Sequence, residues 1–460
     1  MSKKFRNWAP DQAWLLPPSP RDWLNDNHLV YFLLDVVGEM DLGPFFERDK
    51  NSITGQPPFH PRMMVTLLLY SYCKGVFSSR KIQSRCAEDV AFRVLVGEDI
   101  PDVRTISDFR KDNLEHMQSL FVQTLQVCAE AGLVKLGRVA LDGAKIKANA
   151  SRHKAMSYDR MKQDEERLQR EIAELMVQAE AADAADDEQF GDRHGDEIPD
   201  ELARRESRLA KIREAREALE EADRQKRIGR SGSAEAARKK AAEHVAKMEA
   251  EDRNHRTDPD KAVPQDKDQR NFTDPDSKIM KTSNKGFDQC GNAQIVTTED
   301  QIIVAADVTN QANDVRQVEP MVEQLQSNVA AAELDGDVKE FLADAGYFSE
   351  TNTDTVTQAG MDPYIATQRL KHNEQIPECA KGRTPGDLTP KQLMARKLRT
   401  KKGKETYAKR KWMVEPVFGQ IKACRGFRQF LLRSLEKMQG EWTIVCLTHN
   451  LLKAFRAGTA

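Results

Sequence analysis

Residues 154 to 256 are dominated by Ala, Glu, Lys, Arg and Gln, and this stretch separates parts of the chain that must fold by different rules. Within it Leu168, Ile172 and Leu175, and later Leu202, Leu209, Ile212 and Leu219, fall near heptad spacing. An apolar seam at that spacing packs helix against helix, so two or three helices in a coiled-coil-like hairpin are expected, with Asp183 to Pro199 supplying the loop.

The flanks read differently. Residues 1 to about 135 read as a helical bundle. Asn25 and Asp26 can cap a helix with its apolar face at Leu29, Val30, Phe32, Leu33, Val36 and Val37, and Pro61 suits the first position of another. Ser78 and Ser79 open a helix to about Val96, and a longer one runs from about Arg104 to Ala131, ended by Gly132. Strands begin at Arg138–Asp142, followed by an alternating stretch to Asn149. They resume after the insert at Asn292–Thr298 and Gln301–Val308, a hairpin turning on Glu299 and Asp300. A helix over Val315–Val329, a strand at Phe341–Ala343, a helix capped by Ser349 and a strand at Tyr364–Ala366 follow. Beyond a basic linker, helices at about 405–423 and 436–456 close the chain. The expected fold class is therefore α/β, a mixed sheet flanked by helices.

At 460 residues the chain can bury a large core. Its seven scattered cysteines form no C-x-x-C pair, which argues for reduced thiols over a disulfide framework or structural zinc. Nothing near Met1 resembles a secretion signal, and apolar runs such as Met63 to Tyr70 fall far short of the ~20 residues of a spanning helix, so a cytoplasmic protein is expected. Net charge is only −2, yet from Lys391 to Arg428 13 basic residues face two acids, Glu405 and Glu415. That local excess suits a polyanion. Arg80 and Lys81 on one helix and Arg104 on another suggest a helix-turn-helix reaching DNA, with an ordinary solvated face as the alternative.

Three acids stand out. Asp142 and Asp344 close strand-like runs, and Glu415 sits in an apolar helical stretch with basic residues on both sides. Hard divalent ions prefer carboxylates, and phosphodiester chemistry asks chiefly for positioning and charge neutralisation. Singly, each acid could be a turn or surface residue, as Asp142 before Gly143 illustrates. Lys145 and Lys147 could touch a DNA backbone or simply be exposed strand lysines. Asn292 and Gln294 could support the site or equally be amides at the edge of the core. For Trp412 a packing role is expected, with stacking on an extruded base as the alternative.

The segments Leu141-Asp-Gly-Ala-Lys-Ile-Lys-Ala-Asn149, Ala343-Asp-Ala-Gly-Tyr-Phe348 and Val414-Glu-Pro-Val-Phe-Gly-Gln-Ile-Lys422 resemble the DDE transposases of bacterial insertion sequences. Phe59-His-Pro-Arg-Met-Met64 and Cys446-Leu-Thr-His-Asn-Leu-Leu452 fit the same group. The resemblance implies a helical DNA-binding domain (1–135), a ribonuclease H-like catalytic domain (136–153 and 257–430), the helical insert (154–256) and a closing helix (431–460) packed on the catalytic domain.

It further implies Asp142, Asp344 and Glu415 as ligands of Mg²⁺, with Mn²⁺ as a substitute and Asp142 shared between two ions. Lys422, Lys411, Arg410, Arg425 and Lys145 become candidate DNA contacts. Related enzymes carry Tyr-x2-Arg-x3-Glu-x6-Lys; here Glu415-x6-Lys422 is kept, Lys411 stands at the arginine position, and Tyr407 lies one residue too far upstream. The implied partners are double-stranded DNA, both terminal inverted repeats and target, and a second copy in a homodimer or larger synaptic complex, at the nucleoid of a bacterium. A nuclease of the same fold that does not join strands, and a non-catalytic DNA-binding protein, are the alternatives.

Overall fold

The computed structural model describes residues 20–47, 58–97, 99–151, 154–190, 200–231, 264–282, 286–368, 379–380, 382, 385 and 388–458. The chain divides into two compact units, one of Met1–Ala148, Lys281–Lys285 and Cys290–Ala460, the other of Asn149–Met280 and Gly286–Gln289.

The first unit opens with helices α1 (Leu29–Glu39), α2 (Gly43–Glu47), α3 (Pro61–Cys73), α4 (Ser79–Glu88), α5 (Val90–Val96), α6 (Val103–Asp112) and α7 (Met117–Glu130). Pro61 does occupy the first turn of α3, but the caps of α1 and α3 are histidines: His28 accepts from the Val30 N–H and His60 from that of Arg62. Asn25 and Asp26 are not the cap. Two helices expected to be continuous are each broken. The Asp89 backbone N–H ends α4 by donating to the Arg85 carbonyl and its side chain starts α5 by accepting from the Ala91 N–H, so one residue serves both ends. The Asn113 amide donates to the Phe109 carbonyl at 2.7 Å and ends α6, and the chain restarts at Met117.

The sheet strands of this unit are β1 (Arg138–Lys147), β5 (Phe287–Thr298, from Cys290 onward), β6 (Ile303–Thr309), β7 (Glu340–Ala343) and β8 (Asp362–Ile365). Their spatial order is β6-β5-β1-β7-β8. β1 is antiparallel to β5 and β5 to β6, while β1, β7 and β8 run parallel. Asp142 does not close its strand: β1 continues to Lys147 against β5, and only the pairing with β7 stops, at Leu141 opposite Ala343. The β5–β6 hairpin also differs from the two-residue turn expected. The Thr298 N–H donates to the Ile302 carbonyl, and Gln301 adopts φ +65°, so a three-residue loop joins the strands.

A crossover leads from β6 to β7 through the 3₁₀ turn Asp314–Gln317 and α10 (Val318–Ala331), and α11 (Glu350–Gln358), capped by Ser349, links β7 to β8. The basic linker proves to be helical in part: Thr389 and Gln392 form a reciprocal capping box at the start of α12 (Pro390–Arg399). α13 (Lys401–Gly419) follows and runs into a π turn, Gln420–Cys424, and α14 (Leu435–Gly458) ends the chain. α14 is buried along most of its length. Its Asn450 clips β6, accepting from the Ile303 N–H at 2.9 Å and donating to the Ile303 carbonyl at 2.8 Å. Its Trp442, fully buried, donates to the Gln294 carbonyl on β5.

In the second unit, β2 (Ala155–Ser157) pairs with β3 (Gln269–Asn271), and β4 (Lys278–Lys281) pairs with β5, whose first residues lie in this unit. Helices α8 (Tyr158–Phe190) and α9 (Asp200–Ser231) pack through Tyr158, Met161 and Leu168 against Leu209, Ile212, Ala215 and Leu219. α8 runs past Asp183, since Ala-rich sequence propagates helix, so much of the expected loop is helical. The Leu202 side chain lies outside the described residues. Five cysteines are buried and two, Cys379 and Cys424, are exposed; none is in a disulfide. Among the described residues, no helix is long and apolar enough to cross a membrane.

Candidate functional site

Because β1 and β7 are parallel and end their pairing at Leu141 and Ala343, Asp142 and Asp344 are the next residues on neighbouring strands. Adjacent strands lie about 4.8 Å apart, so the two residues stand side by side at the level where the β1–β7 pairing ends. Gly143 donates its N–H to Asp142 Oδ1 at 2.9 Å, and Gly346 donates to Asp344 Oδ1 at 2.7 Å. Asp344 thereby caps the short 3₁₀ turn Ala345–Tyr347.

Helix α13 crosses here. Its Arg410 donates from Nη1 to Asp142 Oδ2 at 3.0 Å, and Tyr407 hydrogen-bonds Arg410. Burial pushes the Asp142 carboxyl above the ordinary range; the neighbouring Asp344 adds to that push, while Arg410 and the Gly143 N–H oppose it. Burial also works against the Arg410 charge, but Asp142, Tyr407 and Asp344 outweigh it and hold the guanidinium more firmly protonated. Burial and then Arg428 lower the Lys422 ammonium, with Asp142 pulling the other way. Lys422 also lies over the Phe418 ring.

The predicted residues are distributed unevenly around this centre. Asp142, Asp344 and Arg410 are brought together, and Lys422, over the Phe418 ring, feels the Asp142 charge. Glu415 is exposed on α13. It stands five residues beyond Arg410, about 140° around the helix from the side that meets Asp142. Among the described residues, no three His, Cys, Asp or Glu side chains form a metal-holding group. The offset in the Tyr-Arg-Glu pattern has a plain outcome: Arg410 meets Asp142, and Lys411 is exposed.

Lys145 points inward, to Asp314 at 3.0 Å. Arg425 is buried, donating to the Thr448 hydroxyl and the Val445 carbonyl, and so does not face solvent. Arg80, Lys81 and Arg104 are exposed. Arg110, on the same helix as Arg104, is buried and donates to Tyr72 and the Phe77 carbonyl. Trp412 does not pack in the core; 76% of it is exposed.

Two residues with no assigned role in the sequence reading belong to this site. Tyr347, buried, has its hydroxyl pushed well up by burial and by the nearby charges of Asp314, Asp142 and Asp344. Asp314 collects three donors. In sequence Asn313-Asp314 reads only as the start of a helix, and nothing local distinguishes it.

For a divalent cation the donor set where the β1–β7 pairing ends is suitable as far as it goes. Two hard carboxylates converge, and burial disfavours the charged form of Asp142, an effect that positive charge beside it, such as that of Arg410, opposes.

Residues 259–451 match the family described as Transposase DDE domain, and residues 18–112 match the family described as Transposase domain (DUF772). The first span includes Asp344, Arg410, Glu415 and Lys422; Asp142, on β1 ahead of the insert, lies between the two spans. The chain is therefore a DDE transposase, an enzyme that cleaves and joins DNA. No curated protein and no solved structure matches it significantly.

Proposed function

We propose that the chain is an insertion-sequence transposase whose catalytic acids are Asp142, Asp344 and Glu415, acting with Mg²⁺, or Mn²⁺ in its place. The observation that carries this reading is the placement of Asp142 and Asp344 at the same level of two adjacent parallel strands, with Arg410 on one of them. Glu415 is assigned as third acid because it lies on the chain between Arg410 and Lys422, two basic residues on both of which the Asp142 charge acts. The strand order β6-β5-β1-β7-β8, with the first three antiparallel and the last three parallel, supports a ribonuclease H-like core. The paired helices α8 and α9 support the reading of residues 154–256 as a coiled-coil-like insert.

A bound divalent cation would neutralise phosphate charge and raise the nucleophilicity of an attacking oxygen. The chain's own residues do the rest. Asp142 and Asp344 offer carboxylate oxygens where the β1–β7 pairing ends, while Lys411 and Lys422 offer positive charge to the DNA backbone. In the first step a water oxygen bonds to the scissile phosphorus and the 3′ oxygen departs as a hydroxyl; in the second, that hydroxyl attacks a target phosphodiester and displaces a target 3′ oxygen. Residues 1–135 bind the terminal inverted repeats through Arg80, Lys81 and Arg104. Residues 431–460 brace a catalytic domain of 136–153 and 257–430. Two copies or more hold paired ends together at the bacterial nucleoid.

The test is a plasmid strand-transfer assay with labelled element ends and a divalent metal. Joined products are expected with Mg²⁺ or Mn²⁺ and none in EDTA. Cleaved ends without joined products would point to a nuclease, and metal-independent cleavage would overturn the reading.

A further inference from the structure

Beside the two aspartates lies a polar cluster that the transposase chemistry above leaves without a task. Its centre is Asp314, whose Oδ1 accepts from Lys145 Nζ at 3.0 Å, Asn292 Nδ2 at 2.6 Å and Gln294 Nε2 at 3.2 Å. The donors come from β1 and β5, so one oxygen ties two strands together. Gln294 is fully buried, and its other amide atom, Oε1, accepts the Tyr347 hydroxyl. Tyr347 closes the 3₁₀ turn that Asp344 caps, and its N–H donates to the Asp344 carbonyl at 3.2 Å. On the other side, a Cβ on Gly346 would lie 3.0 Å from Asp344 Oδ1 and 3.6 Å from Asp314 Oδ2, so the two carboxylates flank the same glycine.

This is more than an ordinary helix start. Asn313 already supplies the cap by accepting from the Val315 N–H, so Asp314 is not needed for that task. Nor is Asp314 arranged to take a cation, since Lys145 already offsets its charge. What the site does need is restraint: the turn carrying Asp344 rests on a strand of only four residues.

We propose that Asp314 is a positioning residue, holding the Asp344 turn beside Asp142 through Gln294 and Tyr347 and drawing Lys145 away from DNA. The proposal rests on the assignment of Asp142 and Asp344 as catalytic acids. Groups that orient a metal-binding carboxylate from behind typically change activity or metal affinity about 10–100-fold when removed.

The experiment uses the full chain, labelled element-end duplex and a Mn²⁺ titration, comparing wild type, Asp314→Ala, Asp314→Asn and Asp344→Ala. Asp314→Ala is expected to slow single-turnover cleavage about 10–100-fold and to raise the Mn²⁺ needed for half-maximal rate, with end binding unchanged in gel shifts. Asp314→Asn, which keeps an acceptor oxygen for Asn292 and Gln294, should fall between, and it decides the matter if the alanine variant does not fold. Wild-type rate and Mn²⁺ dependence in the folded Asp314 variants would overturn the proposal, as would a rate loss that only follows the folded fraction measured by circular dichroism. Wild-type cleavage by Asp344→Ala would instead overturn the catalytic assignment itself.

Discussion

Gly143→Ala is the substitution whose consequence the structure fixes most closely. A Cβ at position 143 would stand 2.3 Å from Gln294 Nε2 and 2.9 Å from its Cδ, far inside van der Waals contact. The end of a glutamine usually swings aside easily. Here Gln294 is fully buried, its Nε2 bound to Asp314 and its Oε1 to the Tyr347 hydroxyl, so any swing leaves buried polar groups unpaired. Overpacking typically costs about 1–3 kcal/mol and each orphaned buried group a similar amount. Because one displacement causes all of these, they do not add fully, and about 2–4 kcal/mol is expected. Urea denaturation of wild type, Gly143→Ala, Gln294→Ala and the double variant measures it. On the Gln294→Ala background the added methyl has room and should cost less than about 1 kcal/mol. A Gly143→Ala chain within about 0.5 kcal/mol of wild type, or an equal penalty on both backgrounds, would refute the argument.

Three further outcomes follow from the packing. Asn450→Ala removes both partners of the Ile303 backbone and should lower unfolding free energy by about 2–4 kcal/mol in urea titrations. His449 is buried against the Gln301 carbonyl, and burial followed by the Arg425 charge takes its pKa down to about 3 from 6.5. The unfolded chain therefore binds a proton that the folded chain refuses: the His449 contribution is complete above pH 6.5 and is lost towards pH 3, at about 1.4 kcal/mol per pH unit. The stability difference between wild type and His449→Gln should show that slope between pH 6.5 and 5. Trp412→Ala should leave the melting temperature unchanged, because the ring is exposed.

The strands of the main sheet were legible because apolar β-rich runs between turn residues have few other ways to fold, but Asp142 proves to lie within β1 and not at its end, because pairing with β5 carries the strand on to Lys147. Helix breaks were less legible. The Asp89 side chain starts a new helix and the Asn113 side chain ends one, each through a hydrogen bond that competes with an otherwise continuous apolar pattern. The helix over Pro390–Arg399 hid behind its charge, although Thr389, Pro390 and Gln392 carry a readable start signal. In the site, spacing alone favoured Lys411 as the arginine equivalent, but rotation of α13 over the sheet brings Arg410 to Asp142. Asp314 could not be found from sequence, since its three donors lie between 20 and 169 residues away.

The central claim, that acids carried by β1, β7 and α13 form one catalytic centre, is tested most directly by metal-dependent cleavage of labelled element-end DNA. Asp142→Ala, Asp344→Ala and Glu415→Ala should each abolish cleavage in Mg²⁺ and Mn²⁺ while the folded proteins still retard the same DNA in gels. Cleavage at the wild-type rate by any one of the three would remove that acid from the centre, and retention by Asp142→Ala or Asp344→Ala would contradict the account.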